Sequence, residues 1–304
     1  NADARKRTVM RRPFCKVHCY YKREIMEYPS KWESIFPNEK SENLVICVSG
    51  SGSSKGFSTL ITDGIQDYQM LFNAQSFPLC FYDKEVVKGN GQLRLDGSID
   101  EDRIEYHKRY AITEAIFTKF RTLYGDKVNK DDIFYYLYAV LNSPKYVETY
   151  SESLVKEMPR IPMLAHFPEY VRIGRALADL HLHYEKPVTA AEIGVTVDMR
   201  TEDYTIVDKM RFGKGKDKSI IEYNPYITIR DIPAAAYDYI VNGKSAIEWI
   251  VEQYAVTTDK ASGIVNDPNT YAGGKYVFDL LLSIISVSLK TQELIAQLPE
   301  YKEI

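Results

Sequence analysis

Residues 45–63 read VICVSGSGSSKGFSTLITD. Four apolar residues, Val45 to Val48, enter a patch of Gly and Ser. One cation, Lys55, follows, and the chain returns to β-branched and apolar residues. The outline is that of a phosphate-cradling loop, but the spacing is not. A P-loop needs a Gly, four residues, then Gly-Lys-Ser/Thr, so that backbone N–H groups wrap the phosphates and the Lys reaches them. Here Ser54 precedes Lys55 and Gly56 follows it. The dinucleotide fingerprint needs Gly-x-Gly-x-x-Gly opening a helix. Gly50 and Gly52 fit, but Lys55 holds the third position, and FSTLITDGI reads as a strand. The stretch therefore predicts strand, flexible turn, strand, with Gly supplying the turn's special dihedrals.

Working outward, the first third is β-rich. KVHCYY (16–21), NLVICVSG (43–50), FSTLITD (57–63) and FPLCFYD (77–83) are short apolar or alternating runs separated by Gly, Ser, Asn and Pro. KEVVKGNGQLRLDGSIDED (84–102) reads as a polar linker or hairpin. Helical spacing then takes over in 110–125, ending at Gly125, in 129–144, in 143–159 between Pro144 and Pro159, and in 169–185. A second β segment holds VTVDM, YTIVDKMRF, SIIEY and YITI, with the basic tip GKGKDK between two of them. PAAAYDYIVNG, SAIEWIVEQYAV and 276–298 are helical again. The expected fold is α+β, β-rich segments alternating with helical blocks in one large or two-lobed unit. Its parts are 1–108 (β-rich, with a basic segment and the Gly/Ser loop), 109–187 (helical), 188–231 (β, with the basic hairpin) and 232–304 (helical).

The chain has 304 residues, 45% hydrophobic and 27% charged, with net charge −3. That balance argues against a whole-surface polyanion binder and leaves room for a local basic face. No apolar run approaches a membrane span, and NADARKRTVMRRPF has no signal-peptide apolar region. The start lacks Met, so a fragment of a longer protein is expected. Four cysteines in a chain this size suggest a reducing compartment, hence the cytoplasm.

Several small constellations invite chemistry. Cys15, His18 and Cys19 are close, but zinc would need a fourth ligand, and buried thiols in a sheet explain them as well. Asp179, His181 and His183 resemble a metal-ligand string and offer one alternative function, a metal-dependent hydrolase. On a helix, however, residues two apart face nearly opposite ways. Asn224-Pro225-Tyr226 resembles a methyltransferase motif lacking one Pro, and reads as a turn. Asp83, Glu85 and Lys88 have the wrong spacing for a nuclease site on one strand face. No catalytic set and no metal set is assigned.

Two basic segments remain. Residues 5–23 hold Arg5, Lys6, Arg7, Arg11, Arg12, Lys16, Lys22 and Arg23 without an acid. Residues 209–218 hold Lys209, Arg211, Lys214, Lys216 and Lys218 against Asp217 alone. Either they form a local phosphate-binding face, or they are a disordered terminus and a solvated hairpin.

The longer strings RRPFCKVHCYY, VICVSGSGSSKGFSTLITDGIQD, QSFPLCFYD, DDIFYYLYAVLNSPKYVETYSESLVKEMPRIP, ALADLHLHYE and YIVNGKSAIEWIVEQYAVTTDKASGIVNDPN, in this order, resemble the C-terminal specificity region of type ISP restriction–modification enzymes. The resemblance spans nearly the whole chain. In that family one polypeptide carries a nuclease, an ATP-driven translocase, an adenine methyltransferase and a target-recognition domain. It implies a double-stranded DNA recognition module without chemistry of its own. That module would direct the upstream methyltransferase and translocase domains. S-adenosylmethionine, ATP and Mg would serve the parent polypeptide, none of them this part. Expected backbone contacts are Arg11, Arg12, Lys55, Lys214, Lys216 and Lys218, with Ser51, Ser53 and Ser54 donating beside Lys55. A scaffold docking methyltransferase to translocase is the second alternative.

Overall fold

The computed structural model describes residues 6–26, 30–89, 102–200, 205–270 and 274–304. The basic start is ordered as a strand: β1 (Lys6–Arg12) pairs antiparallel with β2 (Cys15–Tyr20). The alternative of a disordered terminus is therefore wrong from Lys6 onward, while Arg5 lies outside the described residues. A short helix, α1 (Trp32–Ile35), leads into β3 (Val45–Val48), the apolar run of the quoted stretch. Then come β4 (Thr59–Thr62), β5 (Ile65–Gln66) and β6 (Gln75–Pro78). β3 lies between β4 and β6, antiparallel to both, and β5 joins β1 in parallel.

All four residues of β3 are buried. Side chains alternate along a strand, and here each face closes a different core. Val45 and Cys47, with Leu60 of β4, belong to a first core. Ile46 and Val48, with Ile61, belong to a second. The continuous apolar run is thus a strand covered on both faces.

Of the two readings of 84–102, linker or hairpin, the structure bears out the hairpin. β7 (Cys80–Val87) and β8 (Arg103–Tyr110) form a long antiparallel ribbon, and 90–101 lie outside the described residues. The helices follow. α2 (Glu114–Tyr124) is capped by Thr113 and stops at Gly125. α3 (Lys130–Leu141) starts in a reciprocal capping box between Asn129 and Asp132. The expected helix over 143–159 is two, α4 (Pro144–Thr149) and α5 (Ser151–Lys156). Between them Tyr150 packs on Tyr146 and its hydroxyl donates to Glu303. α6 (Phe167–Leu182) completes the block.

A four-stranded antiparallel sheet follows, built from β9 (Thr196–Met199), β10 (Arg211–Gly213), β11 (Asp217–Asn224) and β12 (Ile227–Arg230) in the order β10-β11-β12-β9. Of the expected strand Tyr204–Phe212, Tyr204 lies outside the described residues and the rest is strand only from Arg211. Upstream, the Asn269 side chain takes both polar groups of Val207, donating to its carbonyl and accepting from its N–H, where a neighbouring strand would bind. PAAAYDYIVNG is not helical beyond one short 3-10 turn. It ends in the hairpin β13 (Ile240–Val241) and β14 (Lys244–Ser245), because Asn242 and Gly243 both take positive φ, as a tight two-residue turn requires. α7 (Ala246–Gln253) begins in a capping box of Ser245 and Glu248. After the hairpin β15 (Thr257–Thr258) and β16 (Val265–Asn266), α8 (Tyr276–Ala296) ends the core. Among the described residues no helix is long and apolar enough to cross a membrane.

The first core joins β1, α1, the four-stranded sheet, α7 and most of α8; the second is the helical block against the other face of β3 and β4. α8 runs past the first core until Leu294 and Ile295 pack on the second, and the tail clips back through the Ala165 and Ile304 backbones.

Two contacts fix the helices. α3 and α6 approach so closely that a Cβ on Gly174 would lie 1.9 Å from the Tyr135 carbonyl oxygen. His181, buried on α6, accepts from the Tyr138 hydroxyl at Nδ1 (2.5 Å), and its Nε2 meets Thr291 Oγ1 at 2.9 Å. Because Thr291 donates its own proton to the Val287 carbonyl, Nε2 carries the imidazole hydrogen. The ring also stacks on Tyr239. Burial drops the His181 pKa to about 3, so the core holds it neutral.

Gly174→Ala is expected to destabilise the chain by about 1–3 kcal/mol or more, read as a lower denaturation midpoint, since backbone rather than a yielding side chain blocks the methyl. The unfolded His181 takes its proton near its ordinary pKa and the folded one only near 3, so stability falls as pH drops below about 6.5, by up to ~1.4 kcal/mol per pH unit. Denaturation curves between pH 7 and 4.5 should show this part of the slope missing from His181→Gln.

Candidate functional site

The constellations resolve first. Asp179 and His183 pair on the exposed side of α6, Oδ1 to Nδ1 at 3.0 Å, while His181 points into the core. The metal-hydrolase string is split by helix geometry, as the two-residue spacing requires. On β2, Cys15 and His18 lie on opposite faces, Cys15 buried and His18 exposed. Burial pushes the Cys15 thiol upward. Among the described residues no three His, Cys, Asp or Glu side chains gather to hold a metal. Asn224 closes a turn: its Oδ1 accepts from the Tyr226 and Ile227 N–H groups and its Nδ2 donates to Ile206 O.

The Gly/Ser connection is a pinned turn rather than a flexible one. Ser49 and Ser58 close its neck through the Ser49 N–H to Ser58 carbonyl bond and the Ser58 N–H to Ser49 Oγ bond. Gly50 N–H donates to Phe72 O, and Gly52 N–H reaches Val155 O on α5 at 2.7 Å. Ser58 Oγ accepts from the Asn242 N–H, joining the loop to the β13–β14 turn. The Lys55 stem lies across Gly243, whose added Cβ would meet Lys55 Cδ at 3.0 Å. Ser51 and Ser54 are exposed. Ser53 is buried and its Oγ accepts from the Lys55 N–H, so its role is to shape the loop.

Arg11 and Arg12 stand beside this loop cluster. Arg12 donates to Gln69 O and approaches Asp67 at 3.8 Å, in the same 67–74 segment that supplies Phe72 O to Gly50. Met70 O, in turn, accepts from Asn242 Nδ2. The turns near 12, 50–57, 67–74 and 242–243 therefore form one connected surface, with Lys55 and Arg11 as exposed cations. Lys214 and Lys216 sit at the tip of the β10–β11 hairpin, Lys216 with φ 66°. Among the described residues no carboxylate lies within 4 Å of Arg11, Lys55, Lys214 or Lys216. Lys218 differs. Its ammonium is 2.9 Å from Glu248, at the N-terminus of α7, and lies over the Tyr237 ring. Burial would raise the Glu248 carboxyl, but hydrogen bonds from Lys218 and Ser245 outweigh it and hold it below the usual range. Lys218 thus fastens the hairpin to α7, with its charge largely compensated.

The sequence reading missed the β7–β8 ribbon as a surface. One of its faces is laced with polar pairs: the ion pairs Arg109 to Asp83 (2.5 Å) and Arg103 to Glu105 (2.8 Å), and a contact of His107 Nε2 with Glu85 Oε2 (2.7 Å). The alternation in RIEYHKRY is the signal that the sequence offers, but only the register shows which charges meet.

A family model for the Type ISP C-terminal specificity domain matches residues 1–280. Among solved structures, the chain is 36% identical to the ATP-dependent Type ISP restriction–modification enzyme LlaBIII bound to DNA, with TM-score 0.85, over 99% of this chain and 19% of that one. It is 37% identical to a nuclease-deletion mutant of the Type ISP enzyme LlaGI in complex with a DNA substrate mimic, with TM-score 0.82, over 100% of this chain and 21% of that one. A DrdV–DNA complex matches at 27% identity and TM-score 0.76, over 97% of this chain and 28% of that one. No curated protein matches. The chain spans about a fifth of the length of the two Type ISP enzymes it matches. In fold, in order of elements and in sequence, the chain belongs to the Type ISP C-terminal specificity domain family.

Proposed function

We propose that this chain recognises double-stranded DNA and confers sequence specificity on the polypeptide that carries it. The observation that supports this most is that essentially the whole chain shares its fold with one module of enzymes described as bound to DNA. The local chemistry agrees. In a chain of net charge −3, Lys55, Lys214 and Lys216 are exposed on turns and Arg11 near the end of β1, without carboxylate partners among the described residues, as phosphate contacts require. Ser51 and Ser54 can donate to phosphate beside Lys55. Arg12 and Lys218, already engaged by Asp67 and Glu248, contribute less charge to this surface.

In this reading the module positions itself by phosphate contacts and reads base edges from a groove. It would direct an upstream adenine methyltransferase and translocase of the same polypeptide. The S-adenosylmethionine, ATP and Mg chemistry would lie in those upstream parts.

Duplex binding by the 304-residue chain should fall steeply with salt. The double variant Lys214→Glu, Lys216→Glu should weaken it for all duplex sequences and lower the log–log salt slope by about 2. Lys55→Glu should act likewise, with a slope change of about 1, and Lys218→Met should change binding less than either. Fluorescence anisotropy across a salt series reads all three. Specificity itself is tested by grafting this chain onto a Type ISP relative of different specificity and mapping methylated sites. Unchanged sites would remove the recognition role.

A further inference from the structure

The β7–β8 ribbon has two chemically different faces. Residues opposite one another in an antiparallel pair share a face. Phe81, Asp83, Glu85 and Val87 therefore share one with Arg109, His107, Glu105 and Arg103, the face whose charges pair among themselves. The other face carries Tyr82, Lys84 and Val86 opposite Lys108, Tyr106 and Ile104. Between Cys80 and Val87 it contains no acid. Toward the base, the Tyr82 hydroxyl and the Lys108 ammonium both donate to Glu42 O. Further out, Val86 and Ile104 are 53% and 51% exposed, and Lys84 has no carboxylate within 4 Å among the described residues. Lys88 and Asp102 then form an ion pair just beyond the last register pair.

Two exposed β-branched side chains beside an unpaired lysine are costly to leave in water for no purpose. Beyond β7's contact with α1 near the base, the ribbon's outer half is not packed into either core. We infer that the acid-free face of this ribbon, through Lys84, Tyr106, Val86 and Ile104, is a DNA-contacting surface of the module. The inference rests on the duplex-recognition reading above and adds a contact element to it. Charge selects the occupant: the acid-free face suits a polyanion, whereas the opposite face sets Asp83, Glu85 and Glu105 against Arg103 and Arg109. Size agrees. Four outward residues fall well short of the roughly 20–30 per side of a stable protein interface, while the major groove, about 12 Å wide, admits a two-stranded ribbon. Lys84 meets phosphate, the Tyr106 hydroxyl donates to phosphate or sugar, and Val86 and Ile104 supply apolar contact to thymine methyls.

The test uses the 304-residue chain and a labelled pool of random-sequence duplexes. Lys84→Glu with Tyr106→Ala is compared with Glu85→Gln with His107→Gln on the opposite face, after melting curves confirm that both variants fold. Binding should weaken about tenfold for the first pair, with the salt slope lowered by about 1, and change little for the second. If the wild type binds and both variants bind as tightly, the ribbon proposal is overturned while duplex recognition stands. If the wild type itself does not bind, the duplex reading falls and the ribbon proposal with it.

Discussion

Everything in this chain is organised around a four-residue strand whose two faces serve two cores. Val45 and Cys47 close one, and Ile46 and Val48 close the other. A strand buried on both sides must be continuously apolar, and its backbone polar groups must be satisfied in the sheet. β4 and β6 meet that demand on either edge. The sheet is therefore a shared wall: the helical block and the larger mixed α and β body cannot be separated without exposing one of its faces.

Around that wall the cores are joined by polar contacts of high specificity. His181 ties α3 to α8 through Tyr138 and Thr291 while stacking on Tyr239. Several tyrosines of the helical block end in a carbonyl acceptor: Tyr124 with Leu164 O, Tyr136 with Pro162 O and Tyr146 with Arg160 O. Each buries a large ring and directs its hydroxyl to the irregular segment before α6, whose carbonyls would otherwise lack partners. These three tyrosines thus serve this architecture.

Much of this was legible in the sequence, for definite reasons. β3 and α3 carry their own signals, a continuous apolar run and a capping box, and the failed P-loop spacing at Lys55 was decisive by itself. What escaped notice depended on partners distant in the chain. Val207 is kept out of a strand by Asn269, sixty-two residues away. Lys218 looks like a free cation until Glu248 is seen beside it. Residues 84–102 stay open between linker and hairpin in the sequence because the acids of one face are brought opposite their cations only by pairing. Charge patterns in one dimension do not show which charges cancel.

The closing turn of α8 carries a consequence of another kind. The helix starts in the first core, and its last turns and the tail to Ile304 pack on the second, with the Ala165 N–H donating to Lys302 O and the Ile304 N–H to Met163 O. The family pattern ends at residue 280, a turn into this helix. The folded unit therefore extends beyond the stretch that the family pattern matches. Moving only that stretch between polypeptides would leave the helical block without its last brace.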